Sequence, residues 1–135
     1  MKDHDTAYTT ASRTATKVYD CSGYNNNGSV VGSLVTNKDS ARNQNCIKFN
    51  GSSAIAAGRS AMVTDAITVN MWVYMDSWSS LSSMRMASCT EGGGWNFENV
   101  GHFICYANGA YQRASGSLTS LSAGWHMITG TFDGY

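Results

Sequence analysis

Ala66-Ile67-Thr68-Val69-Asn70-Met71-Trp72-Val73-Tyr74-Met75 is the stretch that decides the fold. Its apolar positions recur with a period of two, the spacing a pleated strand imposes on its side chains. Ile67, Val69, Met71 and Val73 share one face, the expected core side. Thr68, Asn70, Trp72 and Tyr74 share the other. Two large aromatics among polar groups there point to a face that is covered or used for binding.

Outward from this stretch, short runs rich in Val, Ile, Thr and aromatics repeat along the chain. Strands are expected at roughly 16–19, 29–35, 45–49, 53–57, 66–75, 84–89, 94–98, 101–107, 110–114 and 125–132. The chain has no proline, so glycine and asparagine must make its turns. Asn27-Gly28, Asn50-Gly51 and Asn108-Gly109 are hairpin or tight-turn signals, because both residue types tolerate positive φ. No helical stripe runs past one or two turns, and the serines of Ser77–Ser83 favour a loop. The expectation is an all-β sandwich or barrel in a single domain. The polar, patternless start places a flexible N-terminal arm over 1–15 and the domain over 16–135.

Composition narrows the function classes. The chain has 135 residues, one domain's worth, and 13% are charged, about half the roughly 25% usual in soluble domains. Serine, threonine, asparagine and glycine make up 55 residues, while 42% of the chain is hydrophobic, enough to build a core. Nine basic residues balance nine acidic ones, which argues against a nucleic-acid or anionic-membrane partner. No apolar run is long enough for a helical membrane span. The opening Met1-Lys2-Asp3-His4-Asp5 does not read as a secretory signal. Cys21, Cys46, Cys89 and Cys105 contain no C-x-x-C pair, so a zinc knuckle has no foothold. Free thiols are the expectation, with three pairings open if they oxidise.

Four stretches, in order, carry a resemblance. They are Tyr19-Asp20-Cys21-Ser22-Gly23-Tyr24-Asn25-Asn26-Asn27-Gly28, Ile47-Lys48-Phe49-Asn50-Gly51-Ser52-Ser53, Ala66-Ile67-Thr68-Val69-Asn70-Met71-Trp72-Val73, and Trp125-His126-Met127-Ile128-Thr129-Gly130-Thr131-Phe132-Asp133-Gly134. Together they resemble the LamG-like jelly-roll modules of the concanavalin A-like lectin/glucanase superfamily. The resemblance implies a two-sheet antiparallel jelly-roll sandwich. It also implies further closing strands after Asp133-Gly134, so the module is expected to be incomplete, either truncated or completed by another chain. Trp125–Phe132 would then keep an open edge. A family-style first strand before Asp20 is not recognisable.

Enzymes of this superfamily use paired carboxylates, and hydrolysis needs them about 5 Å apart or roughly 6.5–9.5 Å apart. Glu91 and Glu98 are the only glutamates, and neither has an aspartate two residues on. No Gly-x-Ser-x-Gly elbow accompanies His102 or His126, and His126, at the family's Trp-His position, reads as structural. The chain is therefore expected not to be an enzyme, with a glycoside hydrolase fragment as the remaining catalytic reading.

The binding candidates are Glu91, Trp95, Asn96 and Trp78. Three glycines, Gly92 to Gly94, let the backbone approach a ligand, Trp95 or Trp78 could stack on a sugar, and Glu91 and Asn96 could bond hydroxyls. The competing reading, preferred because Trp95 and Phe97 share strand parity, buries Trp95 in the core. No metal site is assigned and no cofactor is expected. Calcium is the one ion the resemblance raises, through oxygens of Asp20, Asn25, Asn27 and Asp133. His4, between Asp3 and Asp5, reads as part of the terminus rather than a ligand set. Asn27-Gly28-Ser29 and Asn50-Gly51-Ser52 match the glycosylation pattern but fall where turns want Asn-Gly anyway. The expected function is a non-catalytic carbohydrate-binding or attachment module of a larger extracellular or bacteriophage structural protein. Its partners would be a glycan or cell-surface receptor and neighbouring virion or surface subunits. The alternative is a purely structural interaction module.

Overall fold

A computed structural model describes residues 6–8, 14–39, 44–57, 66–79, 85–89, 94–98, 101–114 and 116–134. Eleven strands and no helix are found among them: β1 Thr6–Tyr8, β2 Thr14–Val18, β3 Gly28–Asp39, β4 Gln44–Lys48, β5 Ala54–Ala56, β6 Ile67–Met75, β7 Arg85–Ser88, β8 Trp95–Glu98, β9 His102–Ala107, β10 Ala110–Arg113 and β11 Gly124–Phe132. Among the described residues every strand pairing is antiparallel, and no sheet closes into a barrel. The chain divides into two compact units, Met1–Gly58 and Arg59–Tyr135.

In the first unit β3 is the spine. β1 and β2 follow along one side, and β4 and β5 pair with β3 at its two ends. Thr6–Tyr8, within the stretch expected to be an arm, pairs with β2, while residues 1–5 and 9–13 lie outside the described residues. Asn50-Gly51 is a tight turn but not a hairpin, because β4 and β5 pair with β3 rather than with each other. The Asn50 side-chain oxygen accepts from the Ser52 amide at 3.0 Å and from the Ser53 hydroxyl at 2.9 Å, which closes an Asx turn on Gly51 at φ 85°. Gly32, at φ 78°, kinks β3 where a side chain would meet the Ser52 carbonyl.

In the second unit β7–β10 form a meander, and β6 pairs with β11 over nine consecutive residues, from Gly124 opposite Met75 to Phe132 opposite Ile67. Asn108-Gly109 makes the two-residue hairpin between β9 and β10, with φ of 52° and 74°, the paired positive values such a turn requires. Ile67, Val69 and Met71 turn inward and pack, with Phe132, on Phe97, Phe103 and Cys105 of the meander. Met71, Val73 and Met75 also pack around Trp78 and Ile128. The ribbon and the meander therefore meet face to face across an apolar layer, in a sandwich-like arrangement. No disulfide joins the four cysteines. Burial holds the Cys105 thiol above its usual pKa, so Cys105 behaves as a small apolar core residue.

Candidate functional site

The outward face of the β6–β11 ribbon is graded from aromatic to hydroxylic. At one end Tyr74 stands opposite Trp125, with ring centroids 5.6 Å apart and planes at 69°. Next, Trp72 faces Met127, and these side chains are 51% and 56% exposed. Asn70 follows, its amide donating to the Thr129 hydroxyl at 2.7 Å. Thr68 and Thr131 end the row, their hydroxyl oxygens 3.5 Å apart. Neither strand contains an aspartate, glutamate, lysine or arginine. The face can offer aromatic surface for stacking and neutral groups for hydrogen bonding.

This geometry follows from pleating. Period-two alternation sends Ile67, Val69, Met71 and Val73 inward, so Thr68, Asn70, Trp72 and Tyr74 must emerge on the far side. Antiparallel register then sets Trp125, Met127, Thr129 and Thr131 beside them, one for one. The sequence identified the β6 half of this face. The β11 half was missed, although Trp125, Met127, Thr129 and Thr131 also alternate with inward Ile128 and Phe132.

Of the four residues expected to bind, the three that are described do not share one surface. Glu91 lies outside the described residues. Trp95 turns into the core beside Phe103, with centroids 6.3 Å apart. Asn96, its neighbour on β8, must point to the opposite face, where it is buried and its side-chain oxygen has no partner among the described residues. Trp78 is 1% exposed and its ring meets the His126 ring edge-on at 5.2 Å. A ring so enclosed has no face left for a sugar.

The remaining polar candidates are tied into local structure. Glu98 stands between Arg85 and Arg113, each 3.7 Å away. The ring Nε2 of His126 donates to the Ser122 carbonyl at 3.0 Å, which fixes the ring against Trp78. In the first unit, the two carboxylate oxygens of Asp20 accept from the Ser22 amide at 2.7 Å and the Asn26 amide at 2.8 Å. The Asn27 side-chain oxygen accepts from the Asp20 amide at 2.9 Å, and its nitrogen donates to Asn25. Asp20, Asn25 and Asn27 thus share one loop, and Asp133 belongs to the other unit. No group of three or more His, Cys, Asp or Glu side chains is found among the described residues.

Hydrogen bonds from the Ser22 hydroxyl, then the Ser22 and Asn26 amides, hold the Asp20 carboxyl below the ordinary value of 3.8. A carboxyl with a depressed folded-state pKa stabilises above its unfolded value and loses that contribution as pH falls through the folded one. The Asp20–Asn27 loop is therefore expected to loosen only below pH 3.8. Amide NMR of Ser22 and Asn26 during acid titration checks this. Both resonances shifting at higher pH, or persisting unchanged in Asp20→Asn, would contradict it.

The molecule is thus an all-β protein of antiparallel sheets, with a neutral aromatic face on one ribbon. No family model, curated protein or solved structure matches the chain.

Proposed function

We propose that the chain is a non-catalytic carbohydrate-binding module of the LamG-like, concanavalin A-like jelly-roll type, and that sugar is recognised on the outward face of the β6–β11 ribbon. The observation that carries this reading is the exposure of Trp72 and Tyr74, 51% and 50%, beside the Asn70–Thr129 pair. An aromatic plane covers the apolar face of a pyranose, and amide and hydroxyl groups at its rim take the ring hydroxyls. The absence of charged side chains from both strands suits a neutral glycan better than a sulfated or phosphorylated one. The topology is compatible with this reading, since a four-stranded meander separates β6 from its partner β11 in sequence, a long-range pairing of the kind Greek-key sandwiches use. The module belongs to a larger extracellular or virion-surface assembly, where it provides attachment to a cell-surface glycan.

An array of neutral glycans probed with the whole chain tests this reading. A hit is expected that Trp72→Ala weakens by about tenfold, with an unchanged thermal melt because the side chain is half exposed. No binding above background across a broad array would replace the lectin reading with that of a structural interaction module.

A further inference from the structure

The face of the meander turned away from the ribbon carries its own set of polar side chains. Phe97, Phe103 and Cys105 point into the layer shared with the ribbon, so pleating sends Asn96, Glu98, His102, Ile104 and Tyr106 to the outer side. Register sets Glu98 between Arg85 and His102, and Asn96 opposite Ile104. β10 adds Tyr111 opposite Tyr106 and Arg113 opposite Ile104. Arg113 meets Glu98 across the intervening β9, so its stem crosses this face.

Two buried polar atoms on this face lack partners. Asn96 is 9% exposed, and neither its side-chain oxygen nor Nδ1 of His102 has a hydrogen-bond partner among the described residues. Such atoms destabilise a fold, and an apolar side chain at position 96 would serve packing better. Beside them two arginines meet one glutamate, which leaves positive charge in excess. Nη2 of Arg113 stops 3.7 Å from Glu98, beyond hydrogen-bond length, and the side chain is 53% exposed. Its planar fork of donors is therefore open to a second carboxylate. The half-exposed Tyr111 ring stands edge-on to Tyr106 at 5.0 Å and adds aromatic surface on the same side.

We propose that this outer face binds a sugar bearing a carboxylate, a uronate or a sialate. Arg113 takes the carboxylate and Tyr111 covers the apolar side of the ring. Sugar hydroxyls donate to the Asn96 oxygen and to Nδ1 of His102, an acceptor when the ring proton sits on Nε2. Each feature excludes a simpler ligand. A carboxylate alone brings no donor for Asn96, and a neutral sugar brings no charge for Arg113. An amino acid would set its ammonium beside two guanidinium groups. The site is distinct from the ribbon face proposed for neutral glycans. Ribbon and meander meet through their inner sides, so their outer faces look in opposite directions.

The test is calorimetric titration of the whole chain with glucuronate, N-acetylneuraminate, methyl glucoside and acetate. At least one acidic sugar is expected to bind about tenfold or more tightly than both the neutral glycoside and acetate. Arg113→Gln should remove that margin with an unchanged melt, because the side chain is half exposed. Asn96→Leu, similar in volume, should weaken acidic-sugar binding while the melt holds or rises, since the unpartnered oxygen is gone. An asparagine that served only the fold would show the reverse. Trp72→Ala, on the ribbon face, should leave acidic-sugar binding as it is, whatever it does to neutral glycans. No margin over methyl glucoside or acetate, a margin that survives Arg113→Gln, or one lost in Trp72→Ala overturns the proposal.

Discussion

Truncating Phe103 to alanine is expected to cost the Arg59–Tyr135 unit about 3–5 kcal/mol, the usual penalty for emptying a buried aromatic site. Phe103 is 5% exposed, lies 4.8 Å from the Phe97 ring centroid, and forms part of the layer between ribbon and meander. Its ring rests directly on the backbone of β11 at Gly130, where any Cβ would overlap it. Gly130→Ala should therefore cost about 1–3 kcal/mol by overpacking. The two effects should not add. With the ring gone the new methyl has space, so Gly130→Ala should cost much less in a Phe103→Ala background. Urea melts of the two single variants and the double variant measure the coupling. Simple additivity would mean that the ring does not sit on Gly130.

Trp78→Ala should be comparably severe, also about 3–5 kcal/mol. The side chain is 1% exposed and anchors a cluster with Ile128, Met71, Val73, Met75 and Leu121. Its indole nitrogen is buried with no acceptor among the described residues, and a buried donor without a partner costs about 1–3 kcal/mol. Trp78→Phe removes that liability while keeping an aromatic ring beside His126, so it should cost less than half as much as the alanine variant. Denaturant melts give the stabilities, and the ring-proton shifts of His126 report whether the aromatic contact survives. Equal losses for both variants would show that the indole nitrogen has a partner after all.

Strand positions were legible wherever alternation and turn chemistry are local. The side-chain period of Ala66–Met75 separates the inward and outward sets residue by residue, as the burial along β6 shows. Asn108-Gly109 is legible for the same reason, because two adjacent residues at positive φ are a property of that dipeptide. Thr6–Tyr8 carries no comparable pattern. Three residues are too short for a period, and what makes them a strand is pairing with β2. Asn50-Gly51 shows the limit from the other side. Its turn is local, but pairing with β3 decides that β4 and β5 do not pair with each other.

The binding candidates show where sequence proximity misleads. Trp95 and Asn96 are adjacent, and on a strand adjacency sends side chains to opposite faces, so only one of them could share a site with any given ligand. The face that does gather aromatic and amide groups joins residues 51 and 59 positions apart, Tyr74 with Trp125 and Asn70 with Thr129. The sequence by itself determined the all-β character, the location of most strands and the uncharged make-up of both ribbon strands, because these depend on residue type and short-range period. Strand parity with Phe97 already favoured a core position for Trp95; tertiary structure alone decided that Trp78 packs inside and that β11 completes the exposed face. Those outcomes depend on which strand pairs with which and in what register, and distant segments set that choice through the surface they bury together.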